Sequence, residues 1–269
     1  HSDTEVLLAA IERWGLRAAI ERCSGMFAIA LWDRQEHELH LVRDRLGEKP
    51  MYYGAFGDTL LFGSELKALR AHPAWRGEID RAALSLYFRH NYVPAPYSIY
   101  KNVRKVMPGT IATFSSSSAE PRMTQYWSPL DVAERGVRDP LTGDDADSVA
   151  QLESLMRRVI GDEMVSDVPL GAFLSGGVDS SALVAIMQAN STQPVKTFTI
   201  GFDEAEHNEA PHAQAVADHL GTHHTELYVT PQQAMDVIPR LKEIYDEPFA
   251  DSSQIPTFLV EIGRASCRE

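Results

Sequence analysis

Cysteine is nearly missing from this chain: Cys23 and Cys267 are the two among 269 residues. So isolated a pair builds neither a disulfide framework nor a zinc site of paired CxxC type, and a reducing compartment, the cytoplasm, is expected. Basic residues are also scarce, with 25 Lys and Arg against 38 Asp and Glu and a formal net charge of -13. Such a chain repels a phosphate backbone, so nucleic-acid binding through a broad basic surface is not expected, although a compact anionic ligand needs only a local site. Apolar runs are short: Met26 to Trp32 falls well below the roughly 20 residues of a membrane-spanning helix, and no signal peptide is recognisable. His1 stands where an initiator Met would, directly before a helical pattern, as expected if a longer protein extends upstream. What is present, 44% hydrophobic and 23% charged residues, suits two ordered domains.

After Asp3, read as an N-cap, Val6, Leu7, Ala10, Ile11 and Trp14 recur at helical spacing and Gly15 follows as a stop. Strand-like runs come next at Gly25 to Trp32, Glu38 to Val42, Met51 to Tyr53 and Thr59 to Gly63, giving antiparallel sheet, then short helices at Ser64 to Arg70 and Asp80 to Phe88. Gly109 to Phe114 pairs with Met123 to Trp127 across a loop containing Ser115 to Ser118, closing a first domain at residues 1–127. Residues 128–147 carry Pro, Gly and Asp without apolar periodicity and read as a solvated linker. Beyond it, residues 148–260 alternate helix and strand: Val149 to Ile160 helical, strands at Gly171 to Leu174, Lys196 to Phe202 and Glu226 to Val229, helices at Ser180 to Gln188 and Ala210 to Leu220. That alternation predicts a parallel α/β sheet with right-handed crossovers. Gly221 stops one helix, and Thr230-Pro231 opens the next.

The segment richest in chemistry is Phe173-Leu-Ser-Gly-Gly-Val-Asp-Ser-Ser181, between a strand and a helix at the carboxyl edge of the sheet, where open α/β folds bind ligands. Gly176 and Gly177 permit a tight turn and bring N–H groups near an oxyanion, the next helix presents its positive end, and Ser175, Ser180 and Ser181 add hydroxyls. Neither the GxxxxGK(S/T) phosphate loop nor the GxGxxG dinucleotide fingerprint is matched, so a different phosphate site is required.

The string resembles the SGGxDS pyrophosphate loop of the N-type ATP pyrophosphatases, which cleave ATP between the α and β phosphates. Val168-Pro-Leu-Gly171 in front of it resembles the asparagine synthetases in particular. Ser24 to Trp32, Arg43 to Tyr53, Ser64 to Leu69, Tyr92-Val-Pro-Ala-Pro96 and Met107-Pro-Gly109 are similar to the glutaminase half of the same family, so the resemblance spans residues 2 to 260. It implies the C-terminal half of an α+β N-terminal-nucleophile glutaminase with antiparallel sheets. An α/β parallel-sheet domain like the adenine-nucleotide α-hydrolases would follow. It further implies an ATP and pyrophosphate site at Leu174, Ser175, Gly176, Gly177, Val178, Asp179, Ser180, Ser181 and Ile200. Asp179 would hold Mg2+ through pyrophosphate, and Asp3 would contact glutamine. Read without the resemblance, Leu174 and Ile200 are strand core, and Asp3 and Asp179 are helix caps. Glu247-Pro-Phe-Ala-Asp-Ser-Ser253 resembles a family segment near the active cleft, but no role for its carboxylates follows.

The implied enzyme is a cytoplasmic carbon–nitrogen ligase that amidates aspartate through β-aspartyl-AMP, with ATP, Mg2+ and ammonia from glutamine. Alternatives are a related amidotransferase of sugar acids in surface-polysaccharide synthesis, a β-lactam-forming synthetase, or a catalytically dead regulatory paralogue. A homodimer is left open. No glutaminase catalytic residue is assigned within residues 1–269: the family's nucleophile is a terminal Cys whose own amine is the base, and Cys23 has no such amine. No glutaminase activity is expected of these residues alone. Glu261-Ile-Gly-Arg-Ala-Ser-Cys-Arg-Glu269 can be back-translated into a common sequencing-adapter read, so a non-native tail is expected at 261–269.

Overall fold

The computed structural model describes residues 2–115, 120–202 and 208–266. Residues 116–118 of the expected hairpin loop lie outside the described residues, as does Cys267 with the end of the expected tail. The chain divides into two compact units, His1–Pro140 with Lys242–Ala250, and Leu141–Leu241 with Asp251–Glu269. No helix among the described residues is long and apolar enough to cross a membrane.

In the first unit Ser2, not Asp3, caps helix α1 (Asp3–Trp14): its hydroxyl accepts the Glu5 amide at 3.3 Å. This corrects the expected cap, because a cap residue holds extended backbone and Asp3 is already helical, its carboxylate accepting the neighbouring Thr4 amide at 2.8 Å. Gly15 ends α1 as expected, and α2 (Leu16–Arg22) follows at once, seven residues too short to register as a period.

Two antiparallel sheets then form. β1 (Ala28–Asp33), β2 (Glu38–Arg43), β6 (Thr110–Ser115) and β7 (Arg122–Gln125) run in the order β1-β2-β6-β7. β3 (Tyr52–Phe56) lies between β4 (Thr59–Gly63) and β5 (Val103–Lys105). The hairpin expected between Gly109 and Trp127 is present as β6 and β7, while the three-residue β5 had no alternating pattern to reveal it. The middle of the larger sheet is buried on both faces. Val42 and Ile111 pack with Ile20 of α2, whereas Leu41, Ala112 and Phe114 pack with Met51, Tyr53 and Val106. Helices α3 (Leu66–Arg70) and α4 (Arg81–His90) add a further core around Leu66, Leu69 and Ala83.

Residues 128–147 are not simply an irregular linker. They contain α5 (Pro129–Arg138), capped by the Ser128 hydroxyl, with Pro129 in the first turn and a Glu134–Arg138 pair at 2.7 Å. Local capping and i,i+4 pairing sustain this helix while Leu130 and Val137 stay exposed, which is why no apolar stripe signalled it.

The second unit carries β8 (Gly171–Phe173), β9 (Lys196–Phe202) and β10 (His223–Val229), all parallel in the order β10-β9-β8. Its helices are α6 (Asp145–Glu163), α7 (Val178–Asn190), α8 (Ala210–Leu220), α9 (Pro231–Val237) and α11 (Gln254–Ser266), with the short α10 (Leu241–Ile244) where the chain passes into the first unit. Ile160, Ala172, Leu174, Val184, Met187 and Ala213 close the core over one face of the sheet. Thr230 forms the expected helix start, a full capping box with Gln233. Residues 242–250 pack with the first unit.

The turn after β2 is held by polar anchors. Asp44, 1% exposed, accepts the amides of Glu48 and Lys49 at 2.9 Å each, and the Arg43 guanidinium donates to the carbonyls of Gly47, Lys49 and Val106. Burial raises the Asp44 carboxyl, but the hydrogen bonds from Lys49, Glu48 and Gly47 outweigh it and hold it below the usual carboxylate range. A depressed pKa contributes stability above the unfolded value and loses it as pH falls through the folded one. Asp44→Asn, which turns a donor toward one of those amides, is expected to cost about 1–3 kcal/mol at neutral pH. Its melting temperature should also fall less steeply than the parent's as pH drops below about 5. Equal slopes for parent and variant in a calorimetric pH series would contradict this.

Candidate functional site

β8 ends because Leu174 turns inward. Its amide donates to the Phe198 carbonyl at 2.9 Å and its side chain is 1% exposed. The chain then makes a turn that only glycine can make, since Gly176 has φ +80 and a Cβ there would stand 2.7 Å from the His212 Cβ and 2.8 Å from the Ala213 nitrogen. α7 can therefore start at Val178, with Gly177 as its N-cap and no side-chain cap. Its first amides point into the turn without the usual Ser, Asp or Asn acceptor.

The hydroxyls of this turn form one chain. Ser180 Oγ donates to the Gly177 carbonyl at 3.2 Å and accepts the Ser175 amide at 3.2 Å. Ser175 and Ser180 hydroxyl oxygens are 2.9 Å apart, and Ser175 Oγ accepts the Gly177 amide at 3.3 Å. Ser181 differs: its Oγ is buried and has no partner among the described residues. An orphan donor at the positive end of a helix fits an anionic oxygen. Val178 is exposed and points away from any packing. Asp179 sits in the first turn of α7 rather than at its cap, which removes the capping role considered for it, and no hydrogen bond or ion pair holds its exposed carboxylate among the described residues.

Beside the turn lies a pocket of about 440 Å³, lined by Phe173, Leu174 and Ser175, by Phe198 and Ile200 of β9, and by Pro256 with other α11 residues. Leu174 and Ile200, 1% and 8% exposed, are thus strand core and pocket wall at once. Apolar walls with hydroxyls from Thr199, Ser253 and Thr257 suit a flat, hydrogen-bonding ring. The α11 contribution was not foreseen; its signal would have been the apolar spacing of Pro256 and Val260. No group of three or more His, Cys, Asp or Glu side chains able to hold a metal occurs among the described residues. Asp3 belongs to the first unit, exposed on α1.

The carboxylate of Glu247, for which no role could be read, and that of the preceding Asp246 anchor residues 242–250 within the first unit. Glu247 Oε1 accepts the Ile99 amide at 2.7 Å, and Oε2 is 2.5 Å from Lys105 Nζ. Burial raises the pKa of the adjacent Tyr52 hydroxyl well above its ordinary value, and the Glu247 and Asp246 charges raise it further.

Residues 1–127 match the family described as "Glutamine amidotransferase domain", and residues 151–262 that described as "Asparagine synthase". The chain is 35% identical over 262 residues to a putative glutamine-hydrolyzing asparagine synthetase 2 of Methanocaldococcus jannaschii, covering 96% of this chain and 49% of that protein. It is 33% identical over 260 residues to glutamine-hydrolyzing asparagine synthetase 1 of Bacillus subtilis, covering 96% and 39%. The chain thus spans half or less of the length of these relatives. Among solved structures, a glutamine phosphoribosylpyrophosphate amidotransferase of B. subtilis is 15% identical with a TM-score of 0.32, over 91% of this chain and 45% of that one.

The two glycines of the turn make opposite forecasts. Gly176→Ala forces a left-handed residue against α8 and is expected to cost about 1–3 kcal/mol, seen as a lowered melting temperature. Gly177→Ala places its Cβ 3.3 Å from Ser175 Oγ at an ordinary φ of -71 and is expected to cost under about 1 kcal/mol. Equal melting temperatures for the two variants would refute this account of the turn.

Proposed function

Because the chain belongs to the glutamine-hydrolysing asparagine synthetase family, with a glutaminase-type domain followed by a synthetase domain, we propose that it is part of an enzyme that amidates aspartate at the expense of ATP. Glutamine supplies the ammonia, and asparagine, AMP and pyrophosphate are the products. We place the glutaminase domain at 1–127, the linker at 128–147 and the synthetase domain at 148–260. A cytoplasmic location follows from the substrates. The observation that carries the reading is the conjunction in one unit of an uncapped helix start, an orphan Ser181 hydroxyl and an adjoining pocket walled by Leu174 and Ile200.

In this reading the adenine lies between Leu174 and Ile200, and the phosphates reach over Ser175, Gly176 and Gly177 toward the start of α7. The aspartate β-carboxylate attacks the α phosphorus; an aspartyl–phosphate bond forms as the bond to the bridging oxygen of pyrophosphate breaks. Negative charge moves onto the leaving pyrophosphate, where the α7 amides and the Ser181 hydroxyl can receive it, and the Ser180 hydroxyl too once its proton turns from the Gly177 carbonyl. Ammonia then adds to the acyl carbon and AMP departs. Asp179 would hold Mg2+ together with phosphate oxygens, since magnesium commonly takes one or two carboxylates and completes its shell from substrate and water. When bound, the ion would neutralise phosphate charge. Asp3 is assigned to the α-ammonium group of glutamine, its exposed carboxylate having one short-range partner among the described residues, the Thr4 amide.

Asp179→Asn in the complete gene product separates an electrostatic role from a local one, because the residue is not the helix cap. AMP and pyrophosphate formation with ammonia as nitrogen donor should fall about 10²-fold or more, roughly 2.7 kcal/mol of transition-state stabilisation. Glutamate release from glutamine and the melting temperature should be retained. Normal AMP formation in the variant would defeat the assignment, and absence of aspartate-dependent AMP from the parent would defeat the function.

A further inference from the structure

Among the described residues that line the pocket beside the glycine turn, Glu209 is the one with a charged side chain. It stands at the start of α8, and its place there is set by its neighbour. Asn208 Oδ1 accepts the Ala210 amide at 3.1 Å and the Phe202 amide at 3.4 Å, so one side chain caps the first turn of α8 and ties it to the end of β9. Glu209 already has helical backbone, with φ -85 and ψ -9, and its carbonyl accepts the His212 and Ala213 amides at 3.1 and 3.0 Å. Ala210 and Ala213 are fully buried, so the face of this turn that meets the core is fixed and Glu209 falls on the open side. Its backbone is thus held while its carboxylate is not. The side chain makes no cap, and no hydrogen bond or ion pair holds it among the described residues.

A carboxylate in this place opposes a triphosphate, because like charges repel strongly beside apolar walls. It contributes to nucleotide binding only if it meets an uncharged donor. ATP offers two kinds, the exocyclic amine of the base and the hydroxyls of the ribose, and position decides between them. A Cβ on Gly176 would stand 2.8 Å from the Ala213 nitrogen, so the turn of α8 that opens at Glu209 lies against the glycine turn assigned to the phosphates. The base is assigned to the slot between Leu174 and Ile200. The sugar joins base to phosphates and therefore occupies the stretch of pocket that Glu209 borders. Two carboxylate oxygens match two adjacent ribose hydroxyls, each O–H donating to one oxygen, and hydrogen bonds to an ionised acceptor are among the stronger ones.

We infer that Glu209 is a specificity-determining residue whose carboxylate accepts the ribose hydroxyl protons and so selects ribonucleoside triphosphates. The inference deepens the proposed function and rests on its placing of ATP in this pocket. Removing the carboxylate has opposite effects under the two roles open to it. A ribose acceptor strengthens the binding of ATP and does nothing for an analogue without hydroxyls, so its loss weakens ATP alone. A charge that merely complements the start of α8 is a repulsive neighbour of the phosphates, and its loss tightens both nucleotides equally.

The test titrates the complete gene product with ATP and with 2′,3′-dideoxy-ATP, each with magnesium and without aspartate. Parent, Glu209→Ala and Glu209→Gln are compared, with melting temperature as the folding control. The parent should bind ATP about 10-fold or more tighter than the dideoxy analogue. In Glu209→Ala, ATP binding should weaken about 10-fold or more, analogue binding should hold or tighten, and the preference should shrink to within about 3-fold. Glu209→Gln, which keeps one acceptor oxygen, should lie between. In steady-state AMP formation the alanine variant should raise KM for ATP while kcat stays within about twofold, as when ground-state and transition-state binding are lost alike. An unchanged preference in Glu209→Ala overturns the inference, as does tighter ATP binding by that variant or a parent without preference. Equal weakening of both nucleotides with a lowered melting temperature also overturns it, since the residue then serves folding alone. A parent that shows the preference, loses it in the variant and yet forms no aspartate-dependent AMP keeps the inference and removes the amidation reading. A parent that binds neither nucleotide removes both.

Discussion

Gly176 passes α8 at a distance that admits a hydrogen and nothing larger, and the organisation of the second unit follows from that close approach. A left-handed residue lets the chain leave β8 and enter α7 within four positions, so the buried Leu174 and the first turn of the helix stay side by side. A wider turn would separate Ser175 from Ser180, whose hydroxyl oxygens stand 2.9 Å apart, and would break the sequence of hydrogen bonds that shapes the loop. It would also carry the α7 amides away from the pocket wall formed by Leu174 and Ile200. Backbone sterics, rather than any one charged group, thus bring a positive helix end and an apolar slot to one place.

The two units use polar groups in opposite ways. In the first, Asp44, Arg43 and Tyr126 spend their hydrogen-bonding capacity on backbone: Asp44 on two amides, Arg43 on three carbonyls, and the Tyr126 hydroxyl on the Arg43 carbonyl at 2.7 Å. Burial, opposed by the Arg45 charge and aided by Asp44 and Cys23, pushes the Tyr126 hydroxyl up to about 12, so it remains a donor throughout the ordinary pH range. Satisfied groups of this kind make a scaffold. In the second unit Ser181 and the start of α7 lack such partners among the described residues, and unsatisfied donors gathered at a strand-to-helix turn are what a ligand site requires.

Much of this was legible in the sequence, and the exceptions share a cause. β4, β9 and α8 fall where their patterns place them, because each has a clear alternation, an apolar run or a helical period bounded by glycine or proline. α2 and β5 escaped notice because seven and three residues hold too little pattern, and α5 because it is stabilised by its cap and an ion pair instead of an apolar stripe. Within the site, the glycine turn and its serines could be read directly, since their chemistry is local. The parts that could not be read are those whose meaning depends on distant chain. The α11 wall meets β9 more than fifty positions earlier, and Asp246 caps a helix 180 residues away.

That last contact also shows why a short segment can be ordered without a core of its own. Nine residues bury too little apolar surface to offset the conformational entropy of fixing them. Residues 242–250 are instead held by donors and acceptors that the first unit would otherwise leave unmatched, the α3 amides and the Ile99 amide among them. The dependence runs both ways. Without Asp246 the start of α3 loses a cap, an effect of about 1 kcal/mol for caps in general, and without α3 the Asp246 carboxylate has no fixed position. Order in the segment is therefore conditional on the packing of Leu66 and Leu69 in the core of the first unit, which fixes the α3 amides that Asp246 accepts.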